Sequence, residues 1–376
     1  MPDRLRILHL AYEDWAQPRS GGGSVRTHEI NRRLAREHDI TVVAAGWPGA
    51  ADRVEDGVRY THAGTGRTRL RALAYLARTP MLARRAVADL VVEDFGAPIS
   101  TLGLPRFTGV PVVAMVQWLF GREMGRKYGL PFHAVESWGL RAHQTCIAVS
   151  AGLAGHLRER HPSARISVVP NGVDATAFAV QAGPRRFADP AAPIVYLGRL
   201  DTAQKGLDVL LRALADVPGR RLLIAGDGPG AAPLARLAGR LGLTERVHWL
   251  GRVEGGAKYR LLADAAVVAV PSRFETFGMV AVEALACGTP VVATDIPCLR
   301  DVVPDEAGLR VPPGDPPALA AALRLVLDHP ELAARFAAGA RPFARQFGWD
   351  ELAGRQDEIY RAAARSGSER YEGARS

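Results

Sequence analysis

Glu275 and Glu283 stand eight positions apart in "PSRFETFGMVAVEALACGTPVVATD", residues 271–295, a stretch that is otherwise apolar and glycine-rich. Carboxylates accept hydrogen bonds, so a pair in such a setting suits a neutral, hydroxyl-rich ligand. Between them Phe277, Gly278 and Met279 open a helical pattern, and the free amides of a helix start favour an anion. A ligand that is part polyol and part phosphate satisfies both halves. The bland alternative makes Glu275 a helix cap and Glu283 a solvated surface acid. Upstream, "GRLDTAQKG" puts Arg199 and Lys205 in one loop, two cations able to share a diphosphate, the first as a fork and the second as a point charge. Ordinary surface charge is the competing reading until the context is added. "AGDGPG", residues 225–230, packs glycines against a ligand or the next helix, and its spacing is wrong for a dinucleotide fingerprint.

These groups need elements to hold them. The apolar run Val267 to Val270 ends at Pro271, which cannot continue a central strand, so a strand closes there into the loop that carries Glu275. Met279, Val280, Val282, Leu285 and Ala286 recur at helical spacing up to Gly288, and Pro290 to Thr294 gives the next strand. Glu283 then lies roughly 80° round the helix from Glu275, and both acids can face one crevice. Further strands are expected in "PIVYLGRL", "RLLIAGDGPG", "VHWLGRV" and "GLRVPPGD", each followed by a helical pattern. In the first half Leu5 to Ala11 is a strand followed by "RSGGGSVRTHEINRRLA", where Gly21, Gly22 and Gly23 let the backbone approach a ligand before a helix begins. Strands are also expected at Ile40 to Ala45, Leu90 to Glu93, Val110 to Val116 and Cys146 to Val149.

The expected architecture is α/β, with two Rossmann-like, doubly wound domains. The first covers residues 1–180 and the second 193–344, with an aperiodic Pro- and Gly-rich linker between them. After Asp315 a mainly helical pattern is expected, and the polar tail 366–376 is expected to be disordered. A length of 376 residues with 48% hydrophobic content supports two cores. Cys146, Cys287 and Cys298 are too few and too unpatterned for a disulfide framework or a zinc site. A cytoplasmic protein is expected, because no secretory signal and no run of membrane-spanning length is legible.

The net charge of +9 would suggest a polyanionic partner. Yet lysine occurs only at positions 127, 205 and 258, and the scattered arginines lack the aromatic interleaving that reads single strands, so nucleic acid is not expected as a partner. Residues 67–90 form a basic amphipathic stretch; with few large apolar side chains it reads as a solvated helical face in preference to a membrane contact.

"GRLDTAQKG", "GDGP", "GRV", "PSRFETFGMVAVEALACGTPVVATD" and "GLRVPPGDPPALAAAL", in that order, resemble the carboxyl-terminal half of the family 4 retaining glycosyltransferases of GT-B fold. "GGGSVRTHEINRRLA", "AVS" and "NGVD" resemble the amino-terminal half, so the likeness runs from about residue 5 to about residue 360. The E-x7-E signature, Glu275 to Glu283, is its most specific part, and the likeness implies two domains facing across a cleft, with a helix at about 345–365 crossing back to the first.

The resemblance implies a retaining transferase that uses a nucleoside-diphosphate sugar, most commonly UDP-linked, with no further cofactor. Arg199 and Lys205 would hold the diphosphate with the amides of Phe277, Gly278, Met279 and Val280. Glu283 would take the ribose, Glu275 the donor sugar, and Arg252 and Val253 the base through the main chain. Gly22 and Gly23 would reach the diphosphate from the first domain. Retention without a nucleophile implies front-face attack, with the leaving phosphate taking the acceptor proton. No Asp-x-Asp occurs in the chain and no ligand-spaced cluster is legible, so metal independence is expected.

The chain departs from the family in two places. Gln117 stands where a histidine is common beside the donor sugar, and glutamine cannot act as a base. The loop after the Leu90 strand reads "VVEDFGAP", which would set Glu93 and Asp94 on the acceptor side and favour a cationic acceptor such as an amino sugar or aminocyclitol. The competing reading has Asp94 capping a helix and Glu93 paired with an arginine. His133 is a stand-in for the base or a packing residue. Transfer to a lipid-linked or envelope acceptor, and a non-catalytic nucleotide-sugar sensor, are the remaining alternatives.

Overall fold

Short, almost wholly apolar runs such as Val267–Val270 and Val291–Thr294 are buried along their whole length, the pattern of parallel strands covered on both faces. The computed structural model of the chain describes residues 4–18, 20–64, 69–96, 102–119, 121–122, 125, 129–180 and 187–373. The chain divides into two compact units, Met1–Asn171 with Trp349–Ser376, and Gly172–Gly348.

The first unit holds β1 (Arg6–Leu10), β2 (Asp39–Ala45), β3 (Arg53–Glu55), β4 (Val58–Ala63), β5 (Leu90–Phe95), β6 (Val112–Val116), β7 (Thr145–Ala148) and β8 (Arg165–Val168), ordered β3-β4-β2-β1-β5-β6-β7-β8. β1 pairs in parallel with both β2 and β5, so the winding reverses between β1 and β5. The antiparallel β3–β4 hairpin was absent from the sequence reading. It turns at Asp56 and Gly57, both at positive φ (49° and 79°), the Asp-Gly signature of a tight hairpin.

The second unit holds β9 (Ile194–Leu197), β10 (Leu222–Ala225), β11 (Val247–Gly251), β12 (Val267–Val270), β13 (Val291–Thr294) and β14 (Gly308–Val311), in the order β11-β10-β9-β12-β13-β14. All its pairings are parallel, and the winding reverses between β9 and β12. Its core gathers Ile194, Leu210, Ile224, Val267, Val292 and Leu323, among others.

Three boundaries differ from those expected. Residues 172–180 belong to the second unit: the Val173 amide donates to the Phe347 carbonyl at 2.8 Å, and the Ala175–Ala179 helix packs on the Gly255–Ala263 and Met279–Ala286 helices. Phe187, read as linker, packs on that unit's core; the linker residues 181–186 lie outside the described residues. The closing helix begins at Trp349 and runs to Gly373, so the tail expected to be disordered from Ser366 is helical as far as Gly373. That helix packs on Gly22–Leu34, where the Arg26 guanidinium donates to Gln356 at 2.6 Å. The basic stretch forms the Arg69–Arg85 helix, with Leu73 and Met81 exposed; residues 67–68 lie outside the described residues. Among the described residues no helix is long and apolar enough to cross a membrane.

Candidate active site

Open parallel sheets bind ligands beyond the carboxyl ends of the strands where the winding reverses. In the second unit that place lies beyond β9 and β12, and the two loops there are tied together. The amides of Arg273 and Phe274 both donate to the Gln204 carbonyl, at 2.8 and 3.1 Å. The Arg273 guanidinium forks onto Asp208 at 2.7 and 2.8 Å and also reaches the Thr202 carbonyl. Burial works to raise the Asp208 carboxyl, and its bonds to Arg273 outweigh that, leaving it below the ordinary carboxylate range. Gly206 sits at φ 63°, where a Cβ would lie 2.0 Å from the Pro271 carbonyl oxygen, so the close approach of the loops requires glycine.

The consequence is an ion pair between the loops. Lys205 Nζ lies 2.5 Å from Glu275 Oε1, and the Ser272 hydroxyl donates to the same oxygen at 2.9 Å. Ser272 is fixed in turn, because its carbonyl accepts from the Thr294 hydroxyl. Arg199 is the more exposed cation, at 58%; it donates to Gln204 Oε1 at 2.6 Å and faces Asp201 at 3.4 Å.

The Met279–Ala286 helix starts beside this pair. Its cap, Gly278, has φ 101°, and a Cβ there would meet Leu299 Cδ2 at 2.6 Å. The amides of Ala281 and Val282 both donate to the Gly278 carbonyl, so those of Gly278, Met279 and Val280 precede the first helical donor. The Phe277 side chain is buried edge-on against Phe347 at 5.8 Å, which leaves only its backbone for a ligand.

Glu283, one turn into the helix, pairs with Lys258 Nζ at 2.7 Å. Lys258 comes from the Gly255–Ala263 helix, with its ammonium 4.5 Å from the centre of the Tyr259 ring. Burial is the largest influence on Lys258 and opposes its charge; Glu283 and Tyr259 together more than offset it, so the ammonium is held above its ordinary range. Burial and the Glu283 charge push the Tyr259 hydroxyl up to about 12. Arg252 and Val253 follow β11, with Arg252 exposed and bonded to Glu254 at 2.7 Å and Val253 half-buried. Gly226 and Gly228 have a different employment: Cβ atoms there would lie 1.9 Å from the Gly198 carbonyl and 2.7 Å from that of Leu200, so these glycines let two loops cross.

In the first unit Gly22 and Gly23 open the Gly22–Leu34 helix. A Cβ on Gly22 would meet nothing within 4 Å, whereas one on Gly23 would lie 2.8 Å from Gln117 Nε2, so Gln117 does lean on the glycine loop. The acidic pair does not form as expected. Glu93 is 1% exposed and sits 2.6 Å from His143 Nε2, while Asp94 bonds His9 at 3.1 Å and Thr27 at 3.3 Å. β5 runs on to Phe95, and consecutive strand residues point to opposite faces, so only Asp94 remains partly open. Glu93 is paired with a histidine, where an arginine was the competing expectation. His133 is exposed on the Phe132–Leu140 helix.

The sequence reading missed Lys258 and Ser272, and also a cluster of Glu37, His38 and Asp357 whose ligand atoms lie within 4.8 Å of one another. That cluster is balanced internally. His38 Nδ1 accepts from the Leu5 amide, so Nε2 donates to Asp357, and Arg361 binds both acids.

Two parallel-sheet α/β units with crossover helices are the GT-B architecture of glycosyltransferases. Residues 184–343 match the family model described as Glycosyl transferases group 1, and residues 20–177 match that of Glycosyltransferase Family 4. The glycogen synthase of Mycobacterium tuberculosis (strain CDC 1551 / Oshkosh) is 30% identical, over 96% of this chain and 95% of its own length. Among solved structures, sucrose-phosphate synthase from Thermosynechococcus elongatus is similar with a TM-score of 0.80 at 24% identity, covering 96% of this chain and 99% of that one. Anabaena HepE in complex with UDP and glucose is similar with a TM-score of 0.76 at 20% identity, covering 96% and 100%. The chain belongs to glycosyltransferase family 4 and is an enzyme of sugar transfer.

Proposed function

We propose that this glycosyltransferase moves a sugar from a nucleoside-diphosphate sugar, UDP-linked, to a hydroxyl of a small polar acceptor, with retention and without a metal ion. The observation that carries the reading is the convergence of Lys205 and Glu275, 2.5 Å apart, on the loops beyond β9 and β12, beside the amides that open the next helix. Glycosyl transfer leaves negative charge on the departing diphosphate and positive character on the sugar ring. Arg199, Lys205 and the amides of Gly278, Met279 and Val280 are cationic or dipolar groups that favour the first, and the Glu275 carboxylate favours the second. Their hold is stronger in the transition state than in the ground state, which is the condition for catalysis. Glu283 takes the ribose, and Arg252 and Val253 the base. The UDP choice draws on the HepE complex. With Glu93 buried on His143, the pocket of two acids that favoured an amine acceptor is not carried forward.

Transfer of radiolabel from UDP-glucose, with GDP- and ADP-linked sugars alongside, onto a panel of polyol and sugar acceptors tests the donor. Anomeric NMR of the product tests retention. Activity unchanged in excess EDTA is expected; its abolition there would remove the metal-free reading.

A further inference from the structure

Glu283 does not stand alone, and its partner was chosen against the chain's habit. Lysine and arginine together number 48, of which three are lysine, and one of those three, Lys258, lies on Glu283 at 2.7 Å. The pair is neither sealed nor open: 22% of the Lys258 side chain and 9% of the Glu283 side chain remain exposed. An ammonium has three N–H donors and a carboxylate has two oxygens. Lys258 gives one donor to Glu283 Oε1 and turns toward Tyr259; among the described residues it has no further partner, and neither has Glu283 Oε2. One donor and one acceptor are thus left side by side. A vicinal diol is the group that fits such a couple, one hydroxyl giving its proton to the carboxylate and the neighbouring oxygen accepting from the ammonium.

The placement along the chain agrees. Lys258 sits one turn into the helix that follows Arg252 and Val253, and Glu283 one turn into the helix that follows the Gly278 amides. A lone carboxylate would have to take both hydroxyls as a double acceptor and would be free to rotate. The lysine holds the carboxylate at one oxygen and supplies the missing donor, as a compact point charge with three donors where arginine would present a planar fork.

We propose that Lys258 reads the ribose together with Glu283, as an ammonium and carboxylate clamp for the 2′,3′-diol of the donor nucleotide. This rests on the nucleotide-sugar reading above and adds a specificity-determining residue to it.

The test is calorimetric binding of UDP, GDP and ADP to the full-length protein, then of the 2′-deoxy and 3′-deoxy forms of whichever binds tightest, to wild type, Lys258→Met and Lys258→Gln. Wild type is expected to prefer the ribonucleotide over at least one deoxy form by about tenfold, the worth of one charge-assisted hydrogen bond. Lys258→Met should weaken the ribonucleotide by a similar factor and leave the deoxy form that lacks the lysine's hydroxyl almost unchanged, so that discrimination collapses. Lys258→Gln keeps an N–H donor without the charge and should retain part of the preference; it also carries the test if the methionine variant does not fold. Equal losses for ribo and deoxy forms would show a lysine that meets phosphate or only supports the fold, and would overturn the clamp. Tight binding of a nucleotide by wild type with no effect of either variant removes the clamp alone. Failure of wild type to bind any of the three diphosphates removes the nucleotide reading and the clamp with it.

Discussion

Each sheet reverses its winding once, at β1/β5 in the first unit and at β9/β12 in the second, and the two places are furnished differently. Beyond β9 and β12 the ionisable groups ride on loops and on the helices that follow, and they form two ammonium and carboxylate pairs, Lys205–Glu275 and Lys258–Glu283. At β1/β5 they ride on the strands. There the Asp94 carboxylate is occupied by His9 and Thr27, and Asn31 donates to His9 Nδ1, which places the ring proton on Nε2, facing Asp94. The strand-borne Asp94 is bonded to a neighbouring strand and a helix, whereas the second unit's groups pair ammonium to carboxylate between loops and helices, with Arg199, at 58%, more exposed than either lysine. The first unit offers glycine backbone and Gln117 where the second offers charge.

The contrast can be broken most directly by kinetics. Lys205→Ala or Glu275→Ala should each lower kcat/KM by about 10³-fold, the scale of losing a preorganised charge contact, while Asp94→Asn should cost less than about tenfold. Comparable losses at both places would erase the difference.

The second test uses pH. Asp14 lies in the segment leading to the first unit's glycine loop, fully buried, with Arg53 at 2.7 and 2.8 Å, His62 at 2.9 Å and the Ala16 amide at 3.0 Å. Burial, the largest influence, works to raise its carboxyl, but Arg53, Ala16 and His62 together hold it well below the usual carboxylate range. The stability it lends is therefore complete above the unfolded value of ~3.9 and is lost as pH falls toward the folded one. In urea titrations Asp14→Asn should cost about 3 kcal/mol at pH 7, with the gap to wild type narrowing below about pH 4. A gap that is constant with pH would contradict this.

Smaller effects sharpen the picture. Gly278→Ala forces a side chain to φ 101° and 2.6 Å from Leu299 Cδ2, and should destabilise by about 2 kcal/mol, read as a fall in Tm. Gly23→Ala should raise the donor KM by less than about tenfold, because only the Gln117 side-chain amide must move, and Gln117→Ala should restore it in the double variant.

Much of the frame was legible. The central strands of the second unit, β12 and β13 above all, were found as apolar runs because parallel strands buried on both faces must be near-continuously hydrophobic; the edge strand β11, exposed from His248 to Gly251, was found by its β-branched and aromatic residues instead. β3 escaped because a three-residue edge strand, "RVE", carries no such run, although the Asp56-Gly57 turn was there to be read. Glu93 and Asp94 were assigned to one pocket because β5 was ended at Glu93; its continuation through Phe95 puts neighbours on opposite faces, a rule of strand geometry that the sequence already contained. Lys258 was invisible for another reason. Twenty-five residues separate it from Glu283, and a polar residue on a short helix looks solvated until the helix is packed. The one clue was compositional, a lysine kept in a chain that elsewhere uses arginine.

That scarcity has a practical side. Reductive methylation with ¹³C-formaldehyde installs NMR-visible methyl groups on amines and spares guanidinium groups, so a protein of 376 residues with three lysines would give a spectrum of very few peaks. Two of those peaks would come from Lys205 and Lys258, and titrating a sugar nucleotide against them would follow each ion pair separately, with no crystal and no engineered probe.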